Sequence, residues 1–139
     1  MIVVDTSVIV AYMNSADDAH ELVATWLDSV DDDLATTPLI VAAVDHLVGA
    51  RGTPAALTAL RSDLAAGVYL VEWWPGAMAS AVKVAKRYAD TSLGLADASL
   101  VALAERLGTI EIATLDERHF RAVRSLVGGK AFRLLPADL

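Results

Sequence analysis

The chain has 139 residues, 55% of them hydrophobic, and a formal net charge of −7. That size suits one domain over residues 1–139 with a sizeable core, and the apolar content excludes disorder. The sequence has no Cys, no apolar run of the ~18 residues a membrane span needs, and no basic stretch ahead of such a run, which excludes disulfides, thiolate chemistry, a spanning helix and a secretory signal and leads us to expect a cytoplasmic protein.

The first seven residues are Met1-Ile2-Val3-Val4-Asp5-Thr6-Ser7. A short apolar run that meets an acid and two hydroxyls reads as a buried strand leading into a helix. Val8 to Met13 continues as that helix, and Asn14-Ser15 breaks it. Asp17 to Leu27 reads as an amphipathic helix with Leu22, Val23, Trp26 and Leu27 on one face and two acids at its positive end. After the acidic turn Asp31-Asp32-Asp33, Leu34 to Thr37 makes a second strand.

Pro38 opens a helix that runs through Val48, with Gly49 and Gly52 flanking its end. Pro54 to Leu64 is another helix, with Leu57, Leu60 and Leu64 in register and Gly67 as its stop. Val68 to Trp73 has strand composition, and Pro75 starts a helix to about Tyr88. A loop at Ala89 to Leu95 precedes an apolar helix from Ala96 to Leu107, ended by Gly108. Thr109 to Ala113 is a strand, Glu117 to Val123 a short helix, and Phe132 to Leu135 a last strand. Alternation of this kind predicts an α/β fold, a parallel sheet flanked by helices.

Asp5 and Asp116 each follow a strand, and Asp97 sits at the start of a mostly apolar helix. Each has a plain explanation as a helix cap or as an acid at a positive helix end. All three also fit one sheet edge, where α/β folds gather ligands. Clustered carboxylates favour Mg²⁺ or Mn²⁺ over zinc, and such ions serve phosphodiester cleavage.

The stretches Val3-Val4-Asp5-Thr6-Ser7, Leu93-Gly94-Leu95-Ala96-Asp97-Ala98, Ala104-Glu105-Arg106-Leu107-Gly108 and Thr114-Leu115-Asp116-Glu117-Arg118-His119-Phe120 together resemble a PIN domain. In order, spacing and length the chain is most similar to the VapC toxins of bacterial toxin–antitoxin pairs. The resemblance implies a Mg²⁺-dependent (or Mn²⁺-dependent) endoribonuclease acting on cellular RNA. It implies Asp5, Asp97 and Asp116 as metal ligands, a VapB-type antitoxin as partner, and a homodimer.

The resemblance fails at one position. The family carries a fourth acid, a Glu, on the helix after the second strand, and the matching register puts Ala43 there. Asp45 is about 200° further round the helix and is a poor substitute. Two explanations stand: a natural variant with a weakened site, or a Glu replaced by Ala to disarm a toxic nuclease, which is the favoured one. The bland alternative is that Val41 to Val44 is plain core.

Thr6, Ser7 and Thr114 can support the acids, though each also suits a helix start or strand end. The net charge of −7 argues against broad duplex binding, and residues 1–50 hold no Lys or Arg. Lys83, Lys86 and Arg87, and Arg118, Arg121 and Arg124, recur at helical spacing, as phosphate contacts or as solvated faces. His46 and His119 read as structural, and Trp26, Trp73 and Trp74 as core or interface. Two rivals from other classes are a non-catalytic PIN-like binding module, favoured by Ala43, and a phosphoacceptor receiver domain. The receiver reading is disfavoured because Asp5 has no adjacent acid.

Overall fold

A computed structural model describes residues 1–139. The strands are β1 (Ile2–Val4), β2 (Leu34–Thr36), β3 (Leu70–Val71), β4 (Glu111–Ala113) and β5 (Arg133–Leu135). The α-helices are α1 (Thr6–Met13), α2 (His20–Asp28), α3 (Pro38–Arg51), α4 (Pro54–Ala66), α5 (Ala77–Arg87), α6 (Leu95–Leu107) and α7 (Glu117–Arg121). All pairings in the sheet are parallel, in the order β3-β2-β1-β4-β5.

The chain moves from β1 outward through β2 to β3, then returns to lay β4 and β5 on the other side of β1. The direction of winding therefore changes between β1 and β4. In open α/β sheets that switch point leaves a crevice outside the carboxyl ends of the strands. Val4 pairs with Ala113, so Asp5 and Thr114 leave the sheet side by side.

The central strands are short and buried. Val3, Val4, Ala35, Ile112, Ala113 and Leu134 have no exposed surface, as expected of a sheet covered on both faces. Helices α3 and α4 both start on a Thr-Pro pair. The Thr37 hydroxyl accepts the Ile40 N–H at 3.4 Å and the Thr53 hydroxyl the Ala56 N–H at 3.1 Å, with proline in the first turn. At the other end, Gly67 (φ 78°) and Gly108 (φ 69°) close α4 and α6 in the left-handed region. α5 packs along α6, while α1 touches α2, α3 and α4.

Several boundaries differ from the sequence reading. The second helix starts at His20, not Asp17, because the Asp17 carboxylate accepts the Ala19 N–H at 2.8 Å and holds a turn. On that helix Val23 and Trp26 are buried but Leu22 is 58% exposed, so Leu22 does not belong to the inner face. α3 continues through Gly49 to Arg51, and the Gly52 N–H closes it on the Val48 carbonyl at 2.8 Å. The third strand shrinks to Leu70–Val71, an exposed edge paired only with β2, and both tryptophans fall outside it. α5 begins at Ala77 after Gly76 rather than at Pro75, and a 3₁₀ turn at Ala89–Thr91 occupies the expected loop.

Candidate active site

Asp5 is the first residue after β1 and is buried. One carboxylate oxygen, Oδ1, accepts the Thr6 N–H at 2.7 Å and so caps α1. The other, Oδ2, accepts the hydroxyls of Ser7 and Thr114, each at 2.8 Å. Asp5 thus caps α1 with one oxygen and holds two hydroxyls with the other.

Thr114 and Ser7 extend this network. The Ser7 hydroxyl accepts the Leu115 N–H at 2.9 Å, and the Thr114 hydroxyl accepts the Asp116 N–H at 2.9 Å. These bonds fix the turn that carries Asp116 out of β4. Asp116 caps α7 through the His119 N–H at 3.3 Å. Its second oxygen lies 2.9 Å from His119 Nδ1, which is also 3.7 Å from Asp97. That nitrogen is buried and meets hydrogen-bond geometry with neither acid.

Asp97 lies in the first turn of α6. A helix N-terminus stabilises a carboxylate by ~0.3–1 kcal/mol at the surface. Here burial wins: loss of solvent and then the nearby Asp5 charge push the Asp97 carboxyl up to about 6. α6 is set in place by a buried contact between the Thr37 and Ser99 hydroxyls at 2.8 Å.

Asp5, Asp97 and Asp116 thus line one cleft of about 340 Å³ at the switch point, with Thr6 and Ser7. Its far wall is α3, through Leu47 and Arg51. Ala43 lies four and eight residues before these, so it shares their helix face. Asp45 does not. Its carboxylate is held by the Arg61 guanidinium of α4 at 2.8 and 3.0 Å.

Carboxylate oxygens are the donors a hard divalent cation prefers, and a cation among them would offset both the burial and the Asp5 charge that raise Asp97. The donor types fit such an ion. The closed arrangement is not formed, since no three His, Asp or Glu groups surround a common point.

Known proteins share the sequence and the fold. The PIN-domain family profile matches residues 2–126. The chain belongs to the PIN-domain family. This PIN domain is 39% identical over 136 residues to Ribonuclease VapC26 of Mycobacterium tuberculosis, covering 96% of this chain and 99% of that protein. Its fold matches the crystal structure of VapC20 of the same organism, a Sarcin-Ricin loop cleaving toxin, with a TM-score of 0.80 and 21% identity over 88% of this chain and 95% of that one. It also matches FitAcB from Neisseria gonorrhoeae, with a TM-score of 0.62 and 25% identity over 96% of this chain and 97% of that one.

The basic residues fall into separate groups. Arg118 lines a second cleft with His119, next to the acids. Lys83 and Arg87 line a groove between α5 and α6 together with Glu105, and Lys86 is exposed on the same helix. Arg121 is committed elsewhere: it holds Glu117 at 2.8 Å and Asp138 at 2.6 Å. Trp26 is core, while Trp73 is 38% exposed and Trp74 is covered by the Arg106 guanidinium at 5.0 Å. The sequence reading missed Arg51 and Asp17 as cleft residues. The repeat Ala43, Leu47, Arg51 is the available signal for Arg51, and it appears once α3 is followed past Val48 to Arg51.

Proposed function

We propose that this PIN domain is a metal-dependent endoribonuclease toxin of the VapC type, restrained by a VapB-type antitoxin, and that Ala43 leaves it weakly active. The observation that carries the proposal is the meeting of Asp5, Asp97 and Asp116 in one cleft, on a chain 39% identical to a named ribonuclease. Ribonucleases of this family are generally metal-dependent. We assign Mg²⁺ or Mn²⁺ to Asp5, Asp97 and Asp116 on the strength of their all-oxygen donors. When bound, such an ion supplies a more acidic water and offsets charge at the phosphodiester.

The protein's own groups do the placing. Ser7 and Thr114 fix the Asp5 carboxylate, so it needs little reorganisation when substrate arrives. Asp97 is pushed up to about 6 by burial and by the Asp5 charge in the absence of an ion, which is the cost that a bound cation would offset. The His119 ring lies near both Asp97 and Asp116, and its backbone N–H is what holds the Asp116 carboxylate. Ala43 brings no oxygen to the face where a fourth acid would sit. Arg118, in the adjoining cleft with His119, is one candidate for an RNA phosphate, and Lys83, Lys86 and Arg87 on α5 are others. A homodimer and a cytoplasmic setting belong to the same proposal. No helix is long and apolar enough to cross a membrane.

The test is cleavage of total cellular RNA by the purified chain with Mg²⁺ and with a chelator. Slow cleavage that the chelator abolishes supports the reading. A second reading is favoured by Ala43 alone: a PIN-like module that binds RNA or protein without cutting. It takes over if neither the chain nor its Ala43→Glu variant cleaves any RNA.

A further inference from the structure

The cleft that holds the three acids also takes in Asp17 from the α1–α2 loop, so four carboxylates line it. One cation lines it with them, Arg51. RNA is a polyanion, and four carboxylates repel it at short range. An ion held by the acids would offset charge at one phosphate only. A second positive group inside the cleft would hold the strand against that repulsion, and Arg51 is the one whose side chain lines it.

The location of Arg51 suits that task. It ends α3, two helical turns beyond Ala43, about 12 Å along the axis at 1.5 Å per residue. Its side chain is exposed and makes no ion pair, although acids line the same cleft. Three other arginines are committed to carboxylates: Arg61 to Asp45, Arg121 to Glu117 and Asp138, and Arg133 to Glu111. A guanidinium is a planar fork that matches two phosphate oxygens at once.

We propose that Arg51 is a positioning residue that grips a phosphate of single-stranded RNA next to the scissile one and lays the strand along α3 across the acids. This rests on the ribonuclease reading. A plainer role exists, since a cation in the last turn of a helix stabilises the helix end.

The experiment measures binding, not cleavage. A fluorescent mixed-sequence single-stranded RNA is titrated with the parent chain, Arg51→Ala and Arg51→Lys, across about 50 to 200 mM salt. We expect Arg51→Ala to weaken binding about tenfold and to lower the salt slope by about 0.7, the share of one phosphate contact on a single strand. Arg51→Lys should keep the slope and recover part of the affinity. If the parent binds and Arg51→Ala binds equally with the same slope, the proposal falls while the RNA reading stands. A lowered melting temperature with unchanged binding assigns Arg51 to the helix end and also overturns it. If the parent binds no RNA at all, the ribonuclease reading fails and the proposal with it.

Discussion

Thr114 donates its hydroxyl to Asp5 at 2.8 Å, joining residues 109 positions apart in sequence. The same oxygen accepts the Asp116 N–H at 2.9 Å, so one side chain ties the first acid to the last. The link exists because β1 and β4 are neighbours with Val4 opposite Ala113.

Thr114→Val should therefore cost both stability and activity. The change keeps the shape but leaves the half-buried Asp116 N–H without its acceptor and the buried Asp5 oxygen with Ser7 as its one remaining donor, at about 1–3 kcal/mol. Thr114→Ser should cost much less. Urea melts give the first quantity, and RNA cleavage in an Ala43→Glu background gives the second. Equal stability of the Val and Ser variants would show that the hydroxyl bridge contributes nothing.

Ala43→Glu should raise metal-dependent RNA cleavage by about 10²–10³, the usual worth of one preorganised group. Asp45→Ala should leave cleavage unchanged, because Asp45 is bound to Arg61 away from the cleft. A time course on the parent and both variants decides it. An inert Ala43→Glu with an Asp45→Ala that abolishes parental activity would move the fourth acid to Asp45.

Asp97 predicts a pH dependence. Its folded carboxyl lies at about 6, above the ordinary 3.8, so the fold favours the protonated form. Without metal, stability should fall as pH rises from about 4 to about 6 and then level off. Asp97→Asn should remove that fall and stabilise the metal-free protein at neutral pH by on the order of 1 kcal/mol, after discounting for its partial exposure. Metal competes with the proton, so Mg²⁺ or Mn²⁺ affinity should climb up to about pH 6 in the parent. Asp97→Asn should bind more weakly and lose the climb. Calorimetry that finds identical binding in both would remove Asp97 from the site.

Arg121 and Arg118, three residues apart, should behave oppositely. Arg121 holds Asp138 well down, to about 2, with hydrogen bonds to both carboxylate oxygens. That contribution is full above the ordinary carboxylate pKa of 3.8 and disappears as pH falls through about 2. Arg121→Ala should lower the melting temperature at pH 7, with the deficit closing in acid, and leave RNA binding unchanged. Arg118→Ala should weaken RNA binding several-fold at low salt and leave the melting temperature alone. Thermal melts and anisotropy on the two variants separate them. The reverse pattern would place Arg121, not Arg118, against RNA.

The sequence by itself determined the layered α/β plan and the family. Buried apolar runs such as Ile2–Val4, Thr-Pro helix starts and left-handed glycines act within a few residues, so local reading captures them. It also marked Asp5, Asp97 and Asp116 as the residues to watch, because an acid beside apolar sequence demands a partner. Their separate positions said nothing about distance.

Tertiary structure alone decided the rest. Strand order placed β4 against β1 and so joined Thr114 to Asp5. Packing of α4 on α3 gave Asp45 to Arg61 and left Leu47 and Arg51 to the cleft. Arg121 and Arg118 look alike in the sequence, yet only Arg121 meets Asp138 when the C-terminal strand is added to the sheet. Each of these facts depends on which distant segment arrives as neighbour. Burial and charge pairing are set there, and no local propensity encodes them.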